Sequence, residues 1–367
     1  MTSALPTGRW SRRTFLLAAI GSVGPLGLVA CSAPGGPTSP QGPVSDPAAP
    51  TAEAAGGGAS PQPAEPSASV FPGSVEAAAI EDSLAAHAAT VLAVGGSTLG
   101  KAGRQLVTAI RDQHVAHAAA LRTTDPTDPN TAGSADRAPA ASPSTSPSGK
   151  KPGFAKAVDQ LRAAETKAAV THRSSALAAE GLGALLWGSL SVSASQLAGI
   201  LKTADLAGDQ PDPSAGRVAA TRPRAPMPLV PTAEGEQQMV RQLHAVVYGY
   251  QLALGRLTGA RRDAAAAELK RHRILRDQLT VRLLNRKASV PVADPAYVPS
   301  TNPRNAAAAA KLIRQMETAL VPFCGLWLAA AADPAERSEA LGQVARTVAV
   351  ARQWGASLPA WPGWKPA

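Results

Sequence analysis

Aromatic side chains are scarce in this chain. They make up 4% of its 367 residues, although 45% are hydrophobic. Alanine supplies much of the difference and β-branched residues are few, which favours helices and argues against a β-sandwich or barrel. Cysteine is nearly missing as well. Cys31 and Cys324 are the two present, which excludes a disulfide-dense scaffold and a four-cysteine zinc site. The pattern Glu-x-x-His is absent throughout. A ferritin-like di-iron centre takes that pattern from each of two helices, so the standard di-iron signature is missing. Nucleic-acid binding is not expected of a chain with so few aromatics.

Glycine and proline are plentiful, at 32 and 33 residues. They are too many for one tightly packed helical body and are concentrated in tails and linkers. Residues 31–69 are almost entirely Pro, Gly, Ala, Ser and Thr. Such a stretch cannot bury enough apolar surface to offset chain entropy and reads as a disordered tether. A similar run interrupts the chain at about 123–152, and a Pro-rich linker covers 208–232.

Residues 1–30 read as an address. Arg9, Arg12 and Arg13 precede an apolar stretch, Phe15–Ala30, that is short for a bilayer-spanning helix and typical of a signal sequence. Ser11–Leu16, with Arg12 and Arg13 paired, resembles the bacterial twin-arginine export motif. Leu28, Val29, Ala30 and Cys31 resemble a lipobox, with Cys31 as the acylated residue. These motifs lead to the expectation of an exported protein, lipid-anchored to the outer face of the cytoplasmic membrane through Cys31. The net charge of +10 falls by three when the three arginines are cleaved away. Cys324 lies in an apolar helical run and reads as a small core residue.

The remainder has helical period. In residues 70–207 four helices are expected, at about 74–94, 98–122, 153–178 and 180–203. In 233–367 four more are expected, at about 234–257, 262–286, 304–331 and 334–355, with a Pro-rich crossing over 290–303. Asp333 followed by Pro334 marks the start of the last. The fold expected is all-α: two four-helix bundles joined by Pro-rich linkers. The terminal tryptophans are expected to pack back onto the helices.

Most histidines fall on inner stripes. In the first half His87, His114, His117, Glu165 and His172 face the expected core. Comparing depths at about 1.5 Å per residue brings His87, His114 and Glu165 toward one level. In the second half His272 and Glu317 share a level, with His244 about 8 Å away by the same rise. The residues leave two readings open. Hydrogen-bonded core side chains with no cofactor are favoured by the missing Glu-x-x-His. The alternative is a transition-metal site, with His87, His114 and Glu165 or His244, His272 and Glu317 as ligands; imidazole-rich sets suit Zn, Cu or Fe. No nucleophile, base and orienting group form a trio, so the reading leans away from an enzyme.

The helix at 261–287 carries nine basic residues against three acidic ones. It is a candidate contact for anionic lipid or an acidic envelope polymer.

Leu243–Tyr250, Arg271–Leu279, the crossing at 290–303, Met316–Leu320, Ala351–Trp354 and Trp361–Trp364 together resemble the actinobacterial ferritin-like domain of unknown function, an exported lipoprotein family. The resemblance covers about 233–367. It implies a ferritin-like bundle and assigns no activity. Leu243 departs from the family's pattern, which would place Glu before the histidine of this first helix. Arg111–Leu121 is similar to the helical region that precedes the domain in such proteins. The function expected is therefore a non-catalytic envelope binding or scaffold protein, with a metal-binding or redox protein as the alternative.

Overall fold

The computed structural model describes residues 71–128, 152–208, 218–219 and 227–365. The export motif, the lipobox with Cys31, the tether, most of the 123–152 insert and much of the linker lie outside the described residues.

The fold is all-α. Among the described residues eight long helices form: α1 (Ser74–Gly95), α2 (Lys101–Leu121), α3 (Phe154–Ala178), α4 (Gly181–Ile200), α6 (Thr232–Leu254), α7 (Gly259–Asn285), α8 (Ala306–Ala330) and α9 (Pro334–Gln353), with a short α5 (Thr203–Ala207) between the two sets. Each matches an expected helix to within a turn. Asp333 caps α9, its side chain accepting from the Glu336 N–H with Pro334 in the first turn, which satisfies an otherwise unpaired amide. Asn305 caps α8 in the same way. α8 runs through Pro322 without a break.

α1 packs on α2 and α3, and α3 on α4; α6 packs on α7 and α8, and α8 on α9. The two sets do not stand apart. α4 lies against α8 and α9, and α3 against α9. The reason is visible in α4, which has no charged residue and buries side chains on every side, from Ala184 through Ala194 without a gap. A helix that is apolar all round has to be covered all round. One core runs from Leu186 and Leu190 of α4 into Leu328 of α8 and Leu341 of α9. At Gly188 the helices come so close that a Cβ would lie 2.6 Å from Leu328 Cδ2.

Arg337 of α9 ties the sets together. It is 3% exposed and donates from Nε and Nη2 to the Leu177 carbonyl near the end of α3, at 3.1 and 3.0 Å. Its guanidinium thereby caps carbonyls that have no partner within their own helix.

After α9 the chain doubles back. Two short strands, β1 (Val218–Ala219) and β2 (Leu358–Pro359), pair in parallel. Trp361 and Trp364 are both buried, as expected of the tail. Gly363, at φ +90°, presses its carbonyl so near Gly325 of α8 that a Cβ there would sit 1.9 Å from it.

Candidate metal centre

The buried face of α1 is Ala77, Glu81, Leu84, Ala88 and Val91, an alternation of four and three that points steadily inward. Glu81 thus enters the core among alanines and leucines. α2 faces it with His114 and His117, one turn apart, and α3 contributes Glu165 and His172. All five side chains are 0–1% exposed.

Glu81 is the hub. Its Oε2 lies 2.7 Å from His114 Nδ1 and 2.9 Å from His117 Nδ1, and its Oε1 lies 3.2 Å from His172 Nε2. The other ring nitrogen of His114 meets Glu165 Oε1 at 2.8 Å. An imidazole between two carboxylates donates from both nitrogens, and so carries a charge. Burial works against that charge, but the carboxylates of Glu165 and Glu81 outweigh it and push His114 up to about 10. Burial would likewise lift Glu81, yet His117 and His114 hold it well below the ordinary carboxylate value. Glu165 stays raised, because burial costs it more than His114 returns.

Glu81, His114 and His117 each offer a ligand atom within 4.8 Å of the other two. Beside them Glu165 Oε2 is buried without a hydrogen-bond partner, and His172 Nε2 has only its ionic approach to Glu81 Oε1 at 3.2 Å. Buried polar atoms are seldom left unpaired. Two carboxylates and three imidazoles form a donor set that fits a divalent transition metal, with Glu165 Oε2 lacking another use.

Of the residues marked from sequence, His114 and Glu165 meet here. His87 does not. It is about 240° around α1 from Glu81 and only half buried. The depth comparison fails on α1: six residues at about 1.5 Å each put His87 about 9 Å along the helix from Glu81, which is the residue that stands level with His114. The signal for Glu81 was the regular spacing from Ala77 to Val91, which leaves His87 at its edge.

In the second set His272 Nε2 meets Glu317 Oε1 at 2.7 Å, and Tyr250 donates its hydroxyl to the same oxygen at 2.5 Å. His244 is not part of this group. It follows Leu243, which takes the inward position, and turns to the Pro291 carbonyl at 3.3 Å. Tyr250 holds the inner place instead. Glu268 also turns elsewhere, gripped by Arg346 of α9 at 2.9 and 2.7 Å. This second group has one histidine and one buried carboxylate beside Tyr250, a poorer donor set than the first. Cys324 is fully buried, and burial pushes its thiol up to about 12, so it is a core side chain with little thiolate to offer.

Several cations of the basic helix are already engaged. Arg271 pairs with Glu268, Arg276 with Asp277, Arg282 with Glu339 and Arg286 with Glu336. Arg261, Arg262, Lys270 and Arg273 remain exposed on α7, and Lys287 just beyond its end.

Residues 235–366 match the family described as Domain of unknown function (DUF4439). The C-terminal third of the chain is a DUF4439 domain. Among solved structures, a conserved hypothetical protein from Mycobacterium tuberculosis is similar at 24% identity, covering 34% of this chain and 93% of that one, with a TM-score of 0.33; a likeness of that size carries no argument about fold or function. No curated protein matches the chain. Glu81, His114, His117, Glu165 and His172 all lie before the DUF4439 domain.

Proposed function

We propose that this chain is an exported, lipid-anchored envelope protein whose helical body holds a divalent transition metal, non-catalytically, between α1, α2 and α3. The observation that carries the metal reading is the convergence of Glu81, His114 and His117, with Glu165 and His172 beside them. When bound, the ion would supply positive charge to a pocket that otherwise relies on the His114 imidazolium. The protein side chains enclose the centre, as they do in structural sites and not in catalytic ones with an open ligand position. On this reading α6–α9 form a ferritin-like bundle of the actinobacterial type, in which the missing Glu-x-x-His accompanies the shift of the donor set to the helices before it.

Purified protein without the signal sequence should contain near-stoichiometric zinc or another first-row metal by elemental analysis. Chelation should lower its melting temperature, and one metal should restore it. Metal-free protein whose melting temperature ignores chelators would instead support a purely ion-paired core and a scaffold role.

Anchoring rests on Leu28–Cys31 and export on Arg12 and Arg13. Cys31→Ala should release the protein from the membrane fraction, and Arg12→Lys with Arg13→Lys should block translocation. Membrane retention of the first variant with an unmodified N-terminus would remove the lipoprotein reading. The exposed cations of α7, with Ile274, Val281 and Leu284 exposed beside them, support contact with anionic lipid headgroups once the body is tethered.

A further inference from the structure

The metal centre lies in the helices that precede the DUF4439 domain, yet that domain's last residues reach it. His117 Nε2 donates to the carbonyl of Ala360 at 2.7 Å. Gln113, next to His114, reaches the same carbonyl at 3.4 Å. The Trp361 ring stands edge-on against the His117 ring, with centroids 4.4 Å apart. Gln113 is itself held by Ser193 of α4. Ala360, Trp361 and Gln113 are all nearly or fully buried.

A carbonyl oxygen can only accept. Its bond to Nε2 therefore holds a hydrogen on that nitrogen, and Nδ1, which donates to Glu81 Oε2 at 2.9 Å in the metal-free protein, is the nitrogen that can give up its hydrogen to become a ligand. A hydrogen bond on the far nitrogen is how metal-binding imidazoles are oriented and made more basic. The segment that carries Ala360 is placed in turn by its own tight contacts. β2 pairs with β1, and Gly363 lies backbone to backbone on Gly325 of α8.

We propose that the C-terminal segment 358–364 is a working part of the centre: the Ala360 carbonyl and the Trp361 ring position His117, so that metal affinity in the first helices depends on the DUF4439 domain docking its tail there. This rests on the metal reading above. It makes Ala360 and Trp361 positioning residues, and it gives the two sets of helices one shared site, closed only when the tail is in place.

Gly325→Ala tests it at a distance. The added methyl collides with the Gly363 carbonyl and must push the tail aside, while leaving all five candidate donors intact. Gly342→Ala is the control: it places the same methyl on α9, where nothing lies within 4 Å. The probe is Zn2+ titrated calorimetrically into the full mature chain, with circular dichroism to show that the helices persist. Gly325→Ala should bind Zn2+ at least tenfold more weakly than wild type and Gly342→Ala. Equal affinity in all three would overturn the proposal and leave the metal reading intact. Nitrogen NMR of the His117 ring provides a readout that needs no metal. Wild type should show an Nε2–H that is hydrogen-bonded and slow to exchange with solvent, and Gly325→Ala should lose that hydrogen bond. If wild type takes up no Zn2+, the metal reading falls, and an identical His117 ring state in the two proteins then overturns the positioning role as well. If Gly325→Ala does not fold, Trp361→Ala takes its place with the same expected loss.

Discussion

Glu81 is 1% exposed in a core of alanine and leucine, where an unpaired carboxylate would be very costly. Its charge is tolerated because His114 and His117 both direct a ring nitrogen at the same oxygen. Removing one partner of a buried pair leaves the other uncompensated, at about 3–5 kcal/mol. Glu81→Gln should therefore lower stability by about that much in urea unfolding and remove metal uptake together with it; retention of full stability would contradict the hub role. The pH dependence follows from His114. Its ordinary value is 6.5 and the folded value is about 10, so the folded state binds the extra proton between these limits. Stability from this group is complete below pH 6.5 and declines as pH rises toward 10. In His114→Gln that decline should disappear from the series of urea midpoints.

At the scale of elements, α6, α7 and α9 meet in a second buried acidic pair. Glu236 is fully buried, with Arg286 Nε at 3.2 Å and Arg282 at 3.9 Å. Arg286 also pairs with Glu336, at the start of α9. Burial raises Glu236 from 4.5 to about 7; Arg286 opposes the rise, and the like charge of Glu336 adds to it. A carboxyl raised in the folded state contributes most below pH 4.5 and loses that contribution as pH climbs through 7. Thermal melts of wild type should therefore fall over that window relative to Glu236→Gln, whose curve should be flatter. A parallel pair of curves would mean that burial does not raise Glu236.

At the scale of the molecule, α4 decides the architecture. It belongs by contact to the first set, yet at Gly188 it is covered by Leu328 and Leu341 of the second, and Arg337 crosses back to α3. A fragment of residues 233–367 would expose the faces of Leu328 and Leu341 and strand a buried guanidinium. Expressed alone, it should bind a hydrophobic dye and melt well below the full chain. A fragment as stable as the parent would show that the interface contributes little. Exposed patches of this kind mark surfaces meant to be covered.

Much of this was legible in one dimension. Eight helices follow from the 3.6-residue spacing of apolar side chains, because a helix that buries one face has to repeat its large residues at three and four. The start of α9 follows from Asp333 and Pro334, since capping is local chemistry. His114, Glu165, His272 and Glu317 were identifiable as inward polar residues for the same reason. Which of them meet was not legible. Periodicity assigns a side chain to a face but leaves the rotation of each helix free by a residue, and one residue is the difference between His87 and the true inner face that carries Glu81. The same freedom exchanged His244 for Tyr250. The Ala360 carbonyl had no sequence signal at all, because a backbone oxygen is the same in every residue. Only the packing of the tail across 243 residues of chain, from His117 to Ala360, brings it to the imidazole.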